Sequence, residues 1–267
     1  MGAVAFLSRE LRERRRALVF WCIGVAAYCA MIASIFPSIE DSPQLDQLVQ
    51  DYPEALKSLF GLGGVNLSSG TGYLDTELFN IILPLLVIVL AVGSGSRTLA
   101  GEEEAGRLEL PLAYPVRRRD GVVTKGLGVA GEIGIFAATT FVVLALLSPV
   151  FGLDLSYGGL AGGVLGLGLL GLFHGWLALA VGAARPGRAL AIALPAGAAA
   201  LGYLIGGLHS LASWLDPFRF VSSFWWIGQS PLSNGVEIGH LLVVAAASLV
   251  ALGAAAFLIE RRDLQVP

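Results

Sequence analysis

Charged residues are scarce in this sequence of 267 residues. Only 14% of the residues are Asp, Glu, Lys or Arg, whereas 55% are hydrophobic and the mean hydropathy is +0.75. A soluble globular domain carries about 25% charged residues, so this composition excludes an ordinary water-soluble domain. The net charge of −3 also provides no basic surface for nucleic acid, and we expect no nucleic-acid partner.

Cysteine is also scarce, and the motifs of enzymes and metal sites are missing. Cys22 and Cys29 lie on one face of an apolar helical segment. They are seven residues apart, and along a helix this distance is too long for a disulfide between them. The glycine-rich sequence at 93–98 (GSGSRT) lacks the lysine of a phosphate-binding loop. There is no nucleophile elbow, carboxylate pair or zinc-ligand spacing. We therefore expect no catalytic residues, no metal and no cofactor in this chain.

Six long apolar runs are present instead. Each is close to the ~20 residues that cross the ~30 Å hydrocarbon core of a bilayer. Glycines are frequent within them, as is typical of transmembrane helices that pack closely together. The predicted spans cover residues 17–36, 78–99, 127–150, 160–183, 189–208 and 240–259. The sequence therefore predicts an all-α membrane protein with six transmembrane helices, forming one transmembrane domain over residues 1–267.

A basic amphipathic segment precedes the first span at residues 3–16. Val4, Leu7 and Leu11 share one stripe of a helix, and the arginines face elsewhere. This pattern predicts an interfacial helix on an anionic membrane surface. The residues that would hold it there are Arg9, Arg12 and Arg16. A signal peptide is the alternative, but the apolar run that follows is too long and no cleavage site follows it.

The distribution of basic residues predicts the orientation of the bundle. All Lys and Arg residues except Lys57 and Arg219 fall at the end that also carries both termini. Because cytoplasmic loops carry the excess of Lys and Arg, this end is predicted to be cytoplasmic. The expected location is the plasma membrane, with the lipid bilayer as a partner.

Two polar segments lie on the opposite side. Within residues 37–76, a short helix is predicted to begin near Asp51-Tyr52-Pro53 and to close at Gly61, and the glycine- and serine-rich residues 62–72 are predicted to form a loop. Residues 208–239 are crowded with aromatic side chains. They predict a re-entrant or interfacial helix at the outer surface, although stacking platforms for a substrate are an alternative.

Two ionisable residues lie inside predicted spans. Glu132 falls in the first turns of span 3. There it is interpreted as a carboxylate at the cytoplasmic edge of the membrane, near the basic run. His174 falls near the middle of span 4, where a polar group is costly. Two interpretations of His174 remain open at this stage. It is either a pore-lining residue or a neutral histidine that hydrogen-bonds to a neighbouring helix.

The polar segment at 100–125 connects spans 2 and 3. Glu102, Glu103 and Glu104 are predicted to lie in the first turn of a short amphipathic helix, where carboxylates interact favourably with the helix dipole. Pro111 then ends or bends that helix. The basic run that follows predicts a membrane-surface anchor formed by Arg117, Arg118 and Arg119.

This connecting segment resembles the loop after the second span of ABC-2 type permeases, the membrane subunits of bacterial and archaeal ABC exporters. The resemblance therefore implies the plasma membrane of a prokaryote. The similar residues are EEEAGRLEL at 102–110 and AYPVRR at 113–118. The sequence departs from the family pattern at Arg107, Pro111 and Arg117, where threonine, leucine and serine are usual. The amino-terminal helix, the six spans and the aromatic segment before the last span extend the resemblance over the whole chain.

The resemblance implies a permease subunit, a non-enzymatic chain that moves substrate with ATP hydrolysed elsewhere, most often in export. ATP and Mg²⁺ would be bound by two partner ATPase subunits, and a second permease would complete the pore as a homodimer or heterodimer. The segment after span 2 would be a cytoplasmic coupling helix that contacts the ATPase. The residues implied in that contact are Glu102, Glu103, Glu104, Gly106, Leu108, Glu109 and Leu110.

Two other classes compete with this interpretation. A secondary transporter needs coupling-ion groups at the membrane midplane and often has an internal repeat. His174 alone gives that class little support, and no repeat is evident. A structural or regulatory membrane protein would explain the spans but not the acidic, proline-containing and arginine-rich segment between spans 2 and 3.

Overall fold

The computed structural model describes residues 3–40, 51–63, 65–104 and 118–262, with side chains from Arg15 onward. Within these ranges the chain is helical and has no β-strand. The six spans are Ala3–Ile35, Gly70–Glu104, Arg118–Phe151, Tyr157–Ala184, Arg188–Leu208 and Ile238–Glu260. They confirm the predicted all-α membrane architecture with six transmembrane helices. Several of them extend beyond the predicted apolar runs because polar residues at their ends continue the helix.

Span 1 is one unbroken helix from Ala3 to Ile35, followed by a 3-10 turn at Phe36–Ser38. No break separates the basic segment at 3–16 from the apolar run. The placement of that segment on a membrane surface therefore stays a prediction. Arg16 is exposed, and the side chains of Arg9 and Arg12 lie outside the described part of the structure.

Span 4 occupies the centre of the bundle and packs against spans 2, 3, 5 and 6, whereas span 1 packs mainly against span 3. Glycines allow spans 2 and 4 to approach closely. A Cβ atom at Gly95 would lie 2.1 Å from the carbonyl oxygen of Gly175, so any larger residue would force the helices apart. Such small-residue contacts drive helix association in membranes, where no hydrophobic effect separates lipid from protein.

Span 2 contains two π-helical segments, Asp75–Phe79 and Arg97–Gly101, one near each end. Such segments are rare and are often found at functional sites. The regular helix between them, Ile82–Ser96, forms the close contact with span 4. Span 2 thus has a regular central helix with an irregular segment toward either end.

The side of the bundle opposite Ala3 and Arg262, here called the cap face, carries the predicted short helix at Glu54–Leu59. Gly61 follows it with a φ of 63°, the left-handed conformation expected of a helix-closing glycine. The predicted loop at 62–72 is shorter than expected. Ser69 accepts a hydrogen bond from the Gly72 amide and begins the helix of span 2 at Gly70.

Side chains from other elements bind the carbonyl end of the short helix Glu54–Leu59. The Tyr203 hydroxyl donates to the Leu59 carbonyl oxygen at 2.6 Å, and the Asn80 amide donates to the same oxygen at 3.3 Å. The Gln229 amide donates to the Ser58 carbonyl oxygen at 2.9 Å. These bonds satisfy carbonyl groups that a helix end otherwise leaves unpaired, and they join the short helix to spans 2 and 5 and to the aromatic segment.

The aromatic segment forms a 3-10 turn at Asp216–Val221 and a short helix at Ser223–Ile227. This short helix packs against spans 4, 5 and 6. Ile227 lies against Gly166 of span 4, where a Cβ atom would come within 3.0 Å of its side chain. The contacts place this helix among the ends of spans 4, 5 and 6, and its position relative to the membrane stays a prediction. Ser223–Ile227 is called the re-entrant helix below, after that prediction.

Candidate functional site

Charged residues from several spans meet at the end of the bundle that carries the described ends of the chain, here called the terminal face. Glu102, Glu103 and Glu104 form the last described turn of span 2, just before residues 105–117, which lie outside the described part. The three acids do not point in one direction. Each one contacts a different span, and the contacts are of different kinds.

Glu102 forms an ion pair with Lys125 of span 3. The Lys125 ammonium lies 2.5 Å from a Glu102 carboxylate oxygen and also donates to the Thr98 carbonyl oxygen at 2.9 Å. Lys125 is only 5% exposed. A buried ammonium group is costly unless it is paired and hydrogen-bonded, and here it is both.

Glu103 forms an ion pair with Arg262 at the end of span 6. The exposed fraction of the Glu103 side chain is 11% and that of Arg262 is 10%. The Arg262 guanidinium also donates to the Gly182 carbonyl oxygen of span 4 at 3.0 Å. This pair therefore joins spans 2, 4 and 6 in a partly water-excluded position, where charge pairing is stronger than on an open surface.

Glu104 contacts the first turn of span 5. One of its carboxylate oxygens accepts a hydrogen bond from the Arg188 backbone amide at 2.7 Å. The first amides of a helix have no partner within the helix and carry a partial positive charge, so a carboxylate from another helix stabilises them. Glu104 thus caps span 5 from the end of span 2.

The predicted local structure of the acidic run was wrong. The helix of span 2 continues into Glu102–Glu104 without a break, so these residues do not lie in the first turn of a separate helix. Their negative charges are instead offset by Lys125, by Arg262 and by the amide of Arg188. The helix of span 2 continues through Glu102–Glu104 because the contacts with other spans stabilise this additional turn.

The other predicted site residues are partly outside the description. Gly106, Leu108, Glu109, Leu110 and Arg117 lie in residues 105–117. Arg118 and Arg119 are exposed at the start of span 3, as a surface anchor requires. Arg118 also donates to the Arg262 carbonyl oxygen at 3.1 Å. The roles of these residues in ATPase contact and membrane anchoring stay predictions.

Sequence reasoning did not identify Lys125, Arg188 and Arg262 as partners of the acids. In sequence they are basic residues at the ends of spans, which the orientation rule already explained. The sequence did contain one indication of these ion pairs, namely the number of charged residues at the span ends. Three consecutive acids stand at the end of one span, and basic residues begin or end three of the others. That pattern favours pairing, although it does not specify the pairs.

His174 is fully buried in span 4. Its ring nitrogen Nδ1 lies 2.9 Å from the Leu170 carbonyl oxygen of the same helix, so the interpretation that it bonds to a neighbouring helix was wrong. Its aromatic neighbours are Phe173, at 5.0 Å between ring centroids, and Phe224 of the re-entrant helix, at 6.4 Å. Glu132 is also buried, in span 3.

An apolar groove of about 600 Å³ opens between spans 1 and 2, lined by residues that include Phe20, Trp21, Tyr28 and Leu86. Its walls are suited to lipid tails rather than to a polar ligand. In the described ranges, no group of three or more His, Cys, Asp or Glu side chains is placed to hold a metal ion.

The fold defines a multi-pass membrane protein. At its terminal face, three acids at the end of span 2 bind the ends of spans 3, 5 and 6. The family model described as ABC-2 family transporter protein matches residues 4–264, nearly the whole chain, and the chain belongs to that family. Comparison with curated proteins and with solved structures found no match. The match confirms the resemblance seen in the segment between spans 2 and 3. Members of this family are non-catalytic membrane subunits of ABC transporters.

Proposed function

We propose that this chain is the permease subunit of an ATP-driven exporter, with ATP and Mg²⁺ bound by a separate ATPase. Membership of the ABC-2 family supports this proposal. The observation that carries it is the position of the acidic run. Glu102–Glu104 directly precede the family-like residues 105–110 and contact spans 3, 5 and 6. A force applied to that segment would therefore reach most of the bundle.

The mechanism follows from these contacts. Leu108 and Leu110 provide apolar anchors for a groove of the ATPase, and Glu109 orients the contact. When ATP binding closes the two ATPase subunits, the segment after span 2 moves. Glu102 and Glu103 transmit this movement to Lys125 and Arg262 because short, partly buried charge pairs resist separation. The spans then shift between inward- and outward-facing arrangements.

A second permease subunit completes the pathway, as a homodimer or heterodimer. The interior of one chain is filled by span 4, which contacts spans 2, 3, 5 and 6. Each chain is therefore expected to supply half of the pathway, which the second chain completes. The terminal face lies in the cytoplasm of a prokaryotic cell, in keeping with the basic residues gathered there. The chain itself performs no enzymatic step.

Crosslinking tests the proposed ATPase contact. In a background with Cys22→Ala and Cys29→Ala, we compare Leu108→Cys with Glu54→Cys, an exposed position on the cap face. In membranes of the cells that produce the protein, Leu108→Cys is expected to crosslink to a co-purifying ATPase and Glu54→Cys is not. Leu108→Asp should abolish both co-purification and ATP-dependent transport, because it places an unpaired charge in the contact. Equal or absent crosslinking from the two positions would contradict the proposal.

A further inference from the structure

His174 has one ring nitrogen with a partner and one without. Nδ1 lies 2.9 Å from the Leu170 carbonyl oxygen. A carbonyl only accepts, so Nδ1 carries the proton and donates. In the neutral ring Nε2 is then a bare acceptor, and no donor among the described residues reaches it. The ring is also 0% exposed, so bulk water does not supply the missing donor.

An acceptor left in this state is unfavourable in a membrane span. Buried polar groups are nearly always hydrogen-bonded, and exceptions call for an explanation. An ionisable side chain within a span marks a functional site by default. In a purely structural histidine, both ring nitrogens are expected to form hydrogen bonds within the bundle. Because no described residue of this chain supplies a donor to Nε2, a bound molecule is a candidate for that role.

Phe224 of the re-entrant helix lies beside the ring. The two ring centroids are 6.4 Å apart, and Phe224 also contacts Tyr203 edge-to-face at 5.5 Å. Glycines in span 5 make room for it. A Cβ atom at Gly206 would lie 3.3 Å from the Cβ atom of Phe224, and one at Gly202 would lie 3.6 Å from its ring. Phe224 therefore fills the space between spans 4 and 5 above His174.

Few polar bonds hold the start of the re-entrant helix in place. The Ser222 hydroxyl donates to the Gly202 carbonyl oxygen at 2.6 Å and accepts from the Trp225 amide at 3.1 Å. The remainder of the contact with span 5 includes Phe224 against glycine backbone. Movement of the helix toward the cap face would break these two hydrogen bonds and apolar contacts, but it would separate no ion pair in this contact.

We propose that His174 is the hydrogen-bond acceptor of a substrate site inside the bundle, closed by Phe224 and opened when the re-entrant helix withdraws. The site takes a mainly apolar organic molecule with a single donor group, a hydroxyl or an amine. Phe173 and Phe224 supply apolar ring faces, and Nε2 supplies one acceptor. This inference rests on the proposed transport function and names the class of substrate.

A matched pair of probes tests the acceptor. 4-Phenylphenol and 4-methoxybiphenyl differ by the methyl group that removes the donor. Binding of each radiolabelled probe to the full chain in phosphatidylcholine/phosphatidylglycerol nanodiscs is measured by equilibrium dialysis, with empty nanodiscs subtracted. The wild type is expected to bind the phenol about fivefold more tightly, the effect of one neutral hydrogen bond.

Two variants of His174 complete the binding test. His174→Phe should bind both probes equally, and His174→Gln, which keeps an acceptor, should retain part of the preference. A wild type without preference would show that Nε2 is satisfied only by internal water, and the proposal would then fail. The same preference in His174→Phe would overturn it too, because the donor would then bind elsewhere.

Chemical modification tests the closure by Phe224. In the background lacking Cys22 and Cys29, the rate of modification of His174→Cys by a methanethiosulfonate reagent should rise at least about tenfold when Phe224→Ala is added. The control is Ser248→Cys, a buried position in span 6, which should not respond. No rise at position 174, or an equal rise at both positions, would contradict the closure. Neither test uses an ATPase, so their outcome is independent of the crosslinking result at Leu108.

Discussion

The two ends of the bundle are held together by different kinds of contact. On the terminal face, long charged side chains join the spans, as in the pairs Glu102–Lys125 and Glu103–Arg262. On the cap face, the Tyr203 hydroxyl binds backbone directly. Backbone itself approaches closely there, since a Cβ atom at Gly70 would lie 2.2 Å from the Leu153 carbonyl oxygen.

The difference matches the two tasks that we propose. Long side chains rotate about several bonds and keep a charge pair intact while helix ends shift, which suits an end that receives movement from another subunit. On the cap face, hydrogen bonds to backbone and tight backbone contacts allow less adjustment, and the ion pair Asp216–Arg219 lies within one short segment. They hold one closed arrangement, and they give way when a few bonds of modest strength break. The terminal face is thus suited to transmission and the cap face to closure.

The strongest test of this comparison removes one charge from the terminal face. Glu103→Leu leaves the Arg262 guanidinium partly buried without its carboxylate, and we expect a loss of roughly 3 kcal/mol in the free energy of unfolding. Adding Arg262→Met should restore much of it. The measurement is unfolding of the purified chain in mixed micelles. Glu260→Gln is the control, because Glu260 and Arg119 are exposed and 3.9 Å apart. Equal effects of Glu103→Leu and Glu260→Gln would contradict a special role for the buried pair.

The second test disturbs the contact between spans 2 and 4, in the part of span 2 that connects the two faces. Gly95→Ala places a Cβ atom 2.1 Å from the Gly175 carbonyl oxygen, and we expect about 1–3 kcal/mol of destabilisation from overpacking. Gly93→Ala lies two residues away on the same helix. Its nearest neighbour would be an Arg97 side-chain nitrogen at 3.8 Å, so little change is expected. Thermal unfolding of both variants measures the effect, and similar melting temperatures would argue against tight contact between spans 2 and 4.

The third test weakens the cap face. Tyr203→Phe removes the hydroxyl that donates to the Leu59 carbonyl oxygen, which should cost about 1 kcal/mol because a neutral bond is lost. Amide hydrogen exchange in Glu54–Leu59 should become several times faster, while exchange on the terminal face should not change. Tyr157→Phe, at an exposed tyrosine, is the control. Unchanged exchange in Tyr203→Phe would show that the hydroxyl does not hold the short helix.

The smallest expected effect concerns pH on the cap face. The hydrogen bond from His209, together with nearby Arg219, lowers the pKa of Asp216 from its ordinary value of 3.8. Because the pKa is lower in the folded state, Asp216 contributes stability above the unfolded-state pKa. That contribution is lost as the pH falls through the folded-state pKa. The group is exposed, so the change is slight. Melting temperatures measured down to pH 3 should fall less steeply in Asp216→Asn, and identical slopes would refute the contribution.

The sequence by itself determined the number of spans, because each apolar run is long enough to require a crossing of the bilayer. It also determined local features that depend on a few neighbouring residues. The short helix closed by Gly61 is one example, and the family-like segment after span 2 is another. These signals are local in the chain, and each can be read without knowing what lies beside it.

Only the tertiary structure decided which residues meet. Glu102, Glu103 and Glu104 contact residues 23, 159 and 84 positions away in the chain, and Phe224 lies beside His174. The faces of a membrane helix that meet lipid and those that meet protein are both apolar, so periodicity does not reveal how each span is rotated or which spans are neighbours. The pairs at the terminal face and the unpaired nitrogen of His174 follow from that arrangement.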